Sequence, residues 1–131
     1  MKKRGRTLSS LKLQGTNETI ASVQTNDKLA MQVSFQPVTN KKINAWQPEQ
    51  LMLAVAGSTF MRQFHLLAKK ENIPMVSFTC EVIGDISVIK DETTLNCINI
   101  YPTVFISNKE FTTQTKLLLE KVIHQVYVSS I

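Results

Sequence analysis

Hydrophobic and polar positions change their period several times along this chain, and each change predicts an element. Over residues 29 to 35, Leu29, Met31, Val33 and Phe35 alternate with Ala30, Gln32 and Ser34. A period of two marks a strand with one face buried. Upstream, residues 7 to 13 and 19 to 25 read as two short strands about the turn signal Gly15-Thr16-Asn17, so the chain begins as a meander. From Pro48 the period changes: apolar residues at 51 to 56, 60, 61, 64 and 66 to 68 cover most of a helical circumference. Pro48 suits a first turn, where its missing N–H costs nothing, and Glu49 complements the positive end of the helix dipole. Lys69, Lys70 and Glu71, followed by Pro74, mark the exit, predicting a helix over 48 to 70.

Two strands are predicted next, over about 75 to 83 and 95 to 106, with Lys90-Asp91-Glu92 at their hairpin. A second helix is predicted from between Asn108 and Thr113, carried by Leu117, Leu118, Leu119, Val122, Ile123 and Val126. The order of strands, helix, strands and helix predicts an α+β fold with a mostly antiparallel sheet and a long buried central helix, as one domain over residues 1 to 131. One sheet covers only one side of a helix, and 131 residues leave little to cover the other. A homodimer with the 48 to 70 helix near the two-fold axis is therefore expected.

Composition narrows the class. With 43% apolar and 19% charged residues and only four Gly and four Pro, the chain has the makeup of a globular domain. No apolar run is long enough to suggest a membrane span, and the N-terminus lacks the continuous apolar stretch of a secretory signal, so no membrane association and a cytoplasmic location are expected. The net charge of +5 is concentrated: Lys2, Lys3, Arg4 and Arg6 stand together without an acid, leaving eleven basic against ten acidic residues. Nucleic-acid binding would fall to that short arm, residues 1 to 6, and such arms are more often solvated ends.

Candidate chemistry is sparse. Cys80 and Cys97 are too few for a disulfide framework and have no partner at metal-ligand spacing. A turn at Asp91-Glu92 would set Cys97 opposite residue 86, out of register with Cys80, unless the turn lies nearer residue 88. His65 and His124 occur one per predicted helix, as satisfied or surface histidines usually do. No Gly-rich loop follows a strand, and no G-x-S-x-G elbow makes Ser58 a nucleophile. Nothing calls for a metal or a cofactor. Met52, Met61 and Met75, with Trp46 and Phe60, could line an apolar pocket, although such residues at helical spacing are more often core.

Two stretches carry more. "PEQLMLAVAGSTFM", residues 48 to 61, resembles the first signature of the OsmC/Ohr family of osmotically inducible and organic hydroperoxide resistance proteins, where PEQL, apolar and small residues and then Cys-Phe open the central helix. "LLLEKVIHQVYVSS", residues 117 to 130, resembles the second, where a helix leads into a triplet like His-Gln-Val, then Cys-Pro and a serine. Spacing and element order agree over nearly the whole chain. The resemblance implies an intertwined α+β homodimer with two sites at the subunit interface, in a family associated with stress defence. There, a cysteine thiolate attacks an organic hydroperoxide and becomes a sulfenic acid, and a second cysteine resolves it to a disulfide that a dithiol reopens.

Carried over position by position, Glu49 matches the glutamate that helps poise the thiolate, and Thr59 falls where the peroxidatic cysteine belongs, before Phe60. Tyr127 takes the resolving position and Val128 replaces its proline; no arginine of the first three strands can be matched, Arg4 and Arg6 lying too early. A threonine hydroxyl neither ionises near neutral pH nor forms a sulfenic acid. The implied reading is a retired peroxidase site, leaving an interface pocket for a small apolar ligand or a hydroperoxide, unless Tyr127 fills it. The alternative is an active thiol-dependent reductase, peroxiredoxin-like, that uses Cys80 or Cys97.

Overall fold

The computed structural model describes residues 5–6, 10–16, 20–25, 27–35 and 44–125, without the side chains of His124 and Gln125. The chain divides into two compact units, residues 1–48 and 49–131, each described by itself.

The first unit holds a three-stranded antiparallel meander of β1 (Lys12–Gly15), β2 (Ile20–Gln24) and β3 (Met31–Ser34). Thr16 closes the first turn twice, its N–H donating to the carbonyl of Ile20 at 2.9 Å and its hydroxyl to the same oxygen at 3.1 Å. Gly15 thus ends β1, and the strand lies later than the hydrophobic pattern suggests. Residues 7–9 of that expected strand lie outside the described residues. The expected alternation over 29 to 35 holds only at its centre: Leu29 and Phe35 fall outside β3 and are exposed, while Val33 and Ser34 are both buried. The cause is the short ladder, which pairs Met31–Ser34 with Ile20–Val23 and no further. Beyond it, Trp46 takes over the edge, donating to the carbonyl of Gln32 and accepting from the N–H of Ser34, each at 2.8 Å.

The second unit is built on α1 (Pro48–Lys70), which runs between the predicted ends. Its exit is a Schellman cap: the N–H of Ile73 donates to Ala68 O at 3.0 Å and that of Asn72 to Lys69 O at 3.2 Å. Asn72 takes the left-handed conformation this requires, with φ 55°. Strands β4 (Met75–Ile89) and β5 (Glu92–Ile106) form a long antiparallel hairpin. Lys90 and Asp91, with φ 51° and 65°, make a two-residue loop whose twist matches the paired strands. A turn at Lys109–Phe111 follows, with the Asn108 side chain accepting from the N–H of Glu110 at 3.0 Å, and then α2 (Thr112–Gln125).

The core lies between these elements. Phe60, Phe64 and Ala68 of α1 meet Ile73 and, from α2, Leu118 and Val122, with Phe78, Cys80, Ile100, Val104 and Ile106 packed against them from the sheet. The rings of Phe64 and Phe78 stand 5.1 Å apart at 56°, and those of Phe60 and Phe78 6.1 Å apart at 61°, the tilted geometry aromatic quadrupoles favour. The approach of helix to sheet is close because Gly57 faces β4, and a Cβ there would stand 2.8 Å from Val82 Cγ2.

Burial on α1 is confined to Ala56, Gly57, Phe60, Phe64 and Ala68, a single stripe at three- and four-residue spacing. Within one chain the helix is thus covered on one side only, as a single sheet allows. Apolar residues off the stripe, Val55 and Leu66, are 55% and 51% exposed because nothing in the described chain covers them.

Candidate functional site

The positions singled out by sequence lie on and around α1. Glu49 is half-buried in its first turn, and Thr59 is exposed near its midpoint. Ten residues separate them, about 15 Å along the axis and roughly 80° around it. Glu49 and Thr59 of one chain are therefore too far apart to act on one small molecule. Tyr127 and Val128 lie outside the described residues, as do Lys2, Lys3 and Arg4 of the basic arm.

The stripe explains why Thr59 faces outward. Gly57 and Phe60 point into the core, so the positions between them, Ser58 and Thr59, turn away from it. The small residues before Thr59 admit β4 to the buried side of the helix. On the open side, Ser58 folds its hydroxyl back to donate to the carbonyl of Val55 at 3.3 Å.

That open face has a composition the sequence reading passed over. It carries Val55, Ser58, Thr59, Arg62, His65, Leu66 and Lys69, all exposed. At about 100° per residue they fall within roughly a third of the circumference. Glu49 is the only acid in α1, and it lies about 140° around the helix from Arg62. Among the described residues, Arg62, His65 and Lys69 form no salt bridge. The signal was available: three nitrogen bases at three- and four-residue spacing with no acid among them.

The cysteines do not form a working pair within one chain. Cys80 sits opposite Pro102, and Cys97 opposite Asp85, five steps along the ladder. Five residues of strand are about 17 Å, and an odd count puts the side chains on opposite faces. Cysteines that far apart cannot be bridged. The loop lies at Lys90-Asp91, one residue earlier than expected, which alone would set Cys97 opposite Gly84; a register shift between Asp85 and Ile86 that leaves Asn96 unpaired moves it to Asp85. Cys80 is half-buried against the core, and that burial raises its thiol above the ordinary value of 9.0. Cys97 is exposed, with the Asn99 amide 3.9 Å from its sulfur.

Other candidates settle into the core or stand apart. Phe60, Met61 and Met75 belong to the core cluster, while Met52 is half-buried and Trp46 is half-exposed in the first unit. A shallow cavity of about 200 Å³ opens where α1 ends beside α2, lined by Glu71, Gln114, Leu117, Leu118 and Lys121. Gln114 closes one side by donating to the Glu71 carboxylate at 2.9 Å. Glu71 follows Thr59 by twelve residues, about 18 Å along the helix, so this cavity is not at the Thr59 position. No three His, Cys, Asp or Glu side chains among the described residues come together to hold a metal ion, and none of the described helices is long and apolar enough to cross a membrane.

Comparison of the backbone decides the architecture. An OsmC-like protein of unknown function from Vibrio cholerae superposes with a TM-score of 0.71 at 16% identity, covering 95% of this chain and 94% of that one. This chain has the OsmC-like fold. An OsmC-like protein from Mycoplasma pneumoniae matches with a TM-score of 0.72 at 14% identity, over 93% of this chain and 84% of its own. An organic hydroperoxide resistance protein from Elizabethkingia anophelis, with crystallant-derived thiocyanate bound, matches at 0.68 and 18% identity, over 96% and 90%. No family model matches the sequence, and no curated protein does. The OsmC-like fold is carried here by antiparallel sheets and two helices in α+β order, on a sequence far from those of its structural neighbours.

Proposed function

We propose that this OsmC-like chain is a stress-related protein of the OsmC/Ohr type whose hydroperoxide-reducing site is retired, with a pocket retained at the interface of an intertwined homodimer. The two units would together form one OsmC-like domain, with residues 1–6 as a basic arm. The observation that carries the reading is the side chain at the middle of α1. Where the family resemblance places an attacking thiolate, this chain presents an exposed hydroxyl, Thr59, and a hydroxyl supplies neither the nucleophile nor the sulfenic acid that the reaction needs.

The separation of Glu49 from Thr59 supports the dimer. If both edge one pocket, each pocket must take its glutamate and its threonine from different copies. The open face of α1, with Val55 and Leu66 half-exposed, supplies apolar surface for such a contact. Tyr127 would complete the rim or fill the space.

The competing reading keeps the activity and moves it to Cys80 or Cys97. Exposure of Cys97 favours it, and the raised pKa of Cys80 weighs against it, since a peroxidatic sulfur must ionise. Consumption of cumene hydroperoxide by the purified protein with excess dithiothreitol, beside the Cys80→Ser/Cys97→Ser variant, separates the two. No turnover in either is expected. Turnover that disappears with the cysteines would overturn the retired-site reading.

A further inference from the structure

We propose that the open face of α1 around Thr59 binds an anionic amphipath, a carboxylate on a short apolar chain, with Arg62 as its principal anchor. The inference rests on the retired-site reading and adds the ligand class. It starts from charge. A working thiolate would bring one negative charge to this face, and Thr59 brings none. Arg62, three residues on and hence nearly one turn along, keeps its positive charge with no salt-bridge partner among the described residues. Lys69 continues the same side, His65 stands between them, and the sole acid of α1 lies on the far side.

An uncompensated guanidinium beside two hydroxyls is a carboxylate receptor in outline. Arginine donates two parallel hydrogen bonds in a fork that matches a carboxylate, and such charge-assisted bonds are roughly twice as strong as neutral ones. The hydroxyl of Thr59 can add a donor. Val55 and Leu66, about half exposed in the single chain, would line the interface pocket beside Arg62 and take the apolar chain there. Both halves of an amphipath are thus matched on one face. The dimer sharpens the argument: two such faces meeting near a two-fold axis would bring like charges together, and a bound anion in each offsets their repulsion.

The test uses decanoate as probe, with decan-1-ol and decyltrimethylammonium as uncharged and cationic counterparts, titrated calorimetrically into the full chain. Decanoate is expected to bind, the cation is not, and the alcohol is expected to bind at least tenfold more weakly. Arg62→Gln should weaken decanoate at least tenfold, and Arg62→Lys should restore part of the loss. Lys109→Gln, away from α1, should change nothing. No decanoate binding, equal binding of the alcohol, or an Arg62→Gln variant that binds like wild type would each overturn the inference. The same samples are assayed for hydroperoxide consumption, where cysteine-dependent turnover would sink the retired-site reading itself. Absence of both turnover and decanoate binding would sink the ligand assignment alone.

Discussion

Gly57 offers a sharp test of how α1 is held. Replacing it by alanine does two opposed things. In a helix interior alanine is more favourable than glycine by about 1 kcal/mol. The new Cβ, however, would stand 2.8 Å from Val82 Cγ2, well inside ordinary contact. Val82 is the wrong neighbour to yield, since a β-branched side chain is stiff about χ1 and its strand is locked by pairing with Ile100. Overpacking of this kind costs about 1 to 3 kcal/mol. The cost should win, leaving Gly57→Ala destabilised by about 1 kcal/mol net. Val82→Ala alone removes two methyl groups from a half-buried position and should cost about 1 to 2 kcal/mol. In that background the obstacle is gone, so adding Gly57→Ala should stabilise by about 1 kcal/mol. The effect of one substitution therefore changes sign with its neighbour, a coupling of about 2 kcal/mol. Urea unfolding followed by far-UV circular dichroism measures it, at one fixed protein concentration because association would shift the midpoint. Gly57→Ala with the same sign in both backgrounds would refute the close approach of α1 to β4 at this point.

Two further outcomes follow from local geometry. Asn72→Gly should raise stability by about 0.5 to 1 kcal/mol in the same unfolding assay, because the cap holds a non-glycine residue at positive φ, and Asn72→Val should lower it. Labelling with a disulfide reagent near neutral pH should show Cys97 reacting fast and Cys80 slowly; since burial raises the Cys80 pKa in the folded state, its contribution to stability is intact below about pH 9, the unfolded value, and falls as pH rises above that toward the folded value, a loss that Cys80→Ser should abolish.

The elements that were legible in the sequence are those whose ends carry their own chemistry. Helix α1 runs from Pro48 to Lys70 because Pro48 fits only the first turn and the basic pair with Pro74 closes the exit. The hairpin was legible at Lys90-Asp91-Glu92, yet its loop is Lys90-Asp91 rather than Asp91-Glu92, and its register was not legible. The loop alone would set Cys97 opposite Gly84, an unpaired Asn96 moves it to Asp85, and no feature of the apolar alternation announces such a bulge. The first sheet was read with shifted ends for a related reason: its strands are short, and exposed Leu11 and Leu29 extend the hydrophobic pattern beyond the hydrogen-bonded ladder. Pattern reports which side chains could be buried, whereas pairing decides where a strand stops.

The candidate site divides along the same line. Its motif words are local, so they could be read from the chain, and they place Glu49 and Thr59 on one helix. Their separation of about 15 Å is a property of the folded helix, and it changes what the motif means. A spacing that looks like one site in sequence becomes half of each of two sites if a second copy stands opposite. The basic residues of the open face were hidden for the complementary reason. Arg62, His65 and Lys69 resemble ordinary helix decoration until burial at Gly57, Phe60 and Phe64 establishes which side of α1 is closed. Once that side is known, Thr59 and Arg62 bear on one surface, and under the proposed reading the residue at position 59 sets the charge that surface can hold.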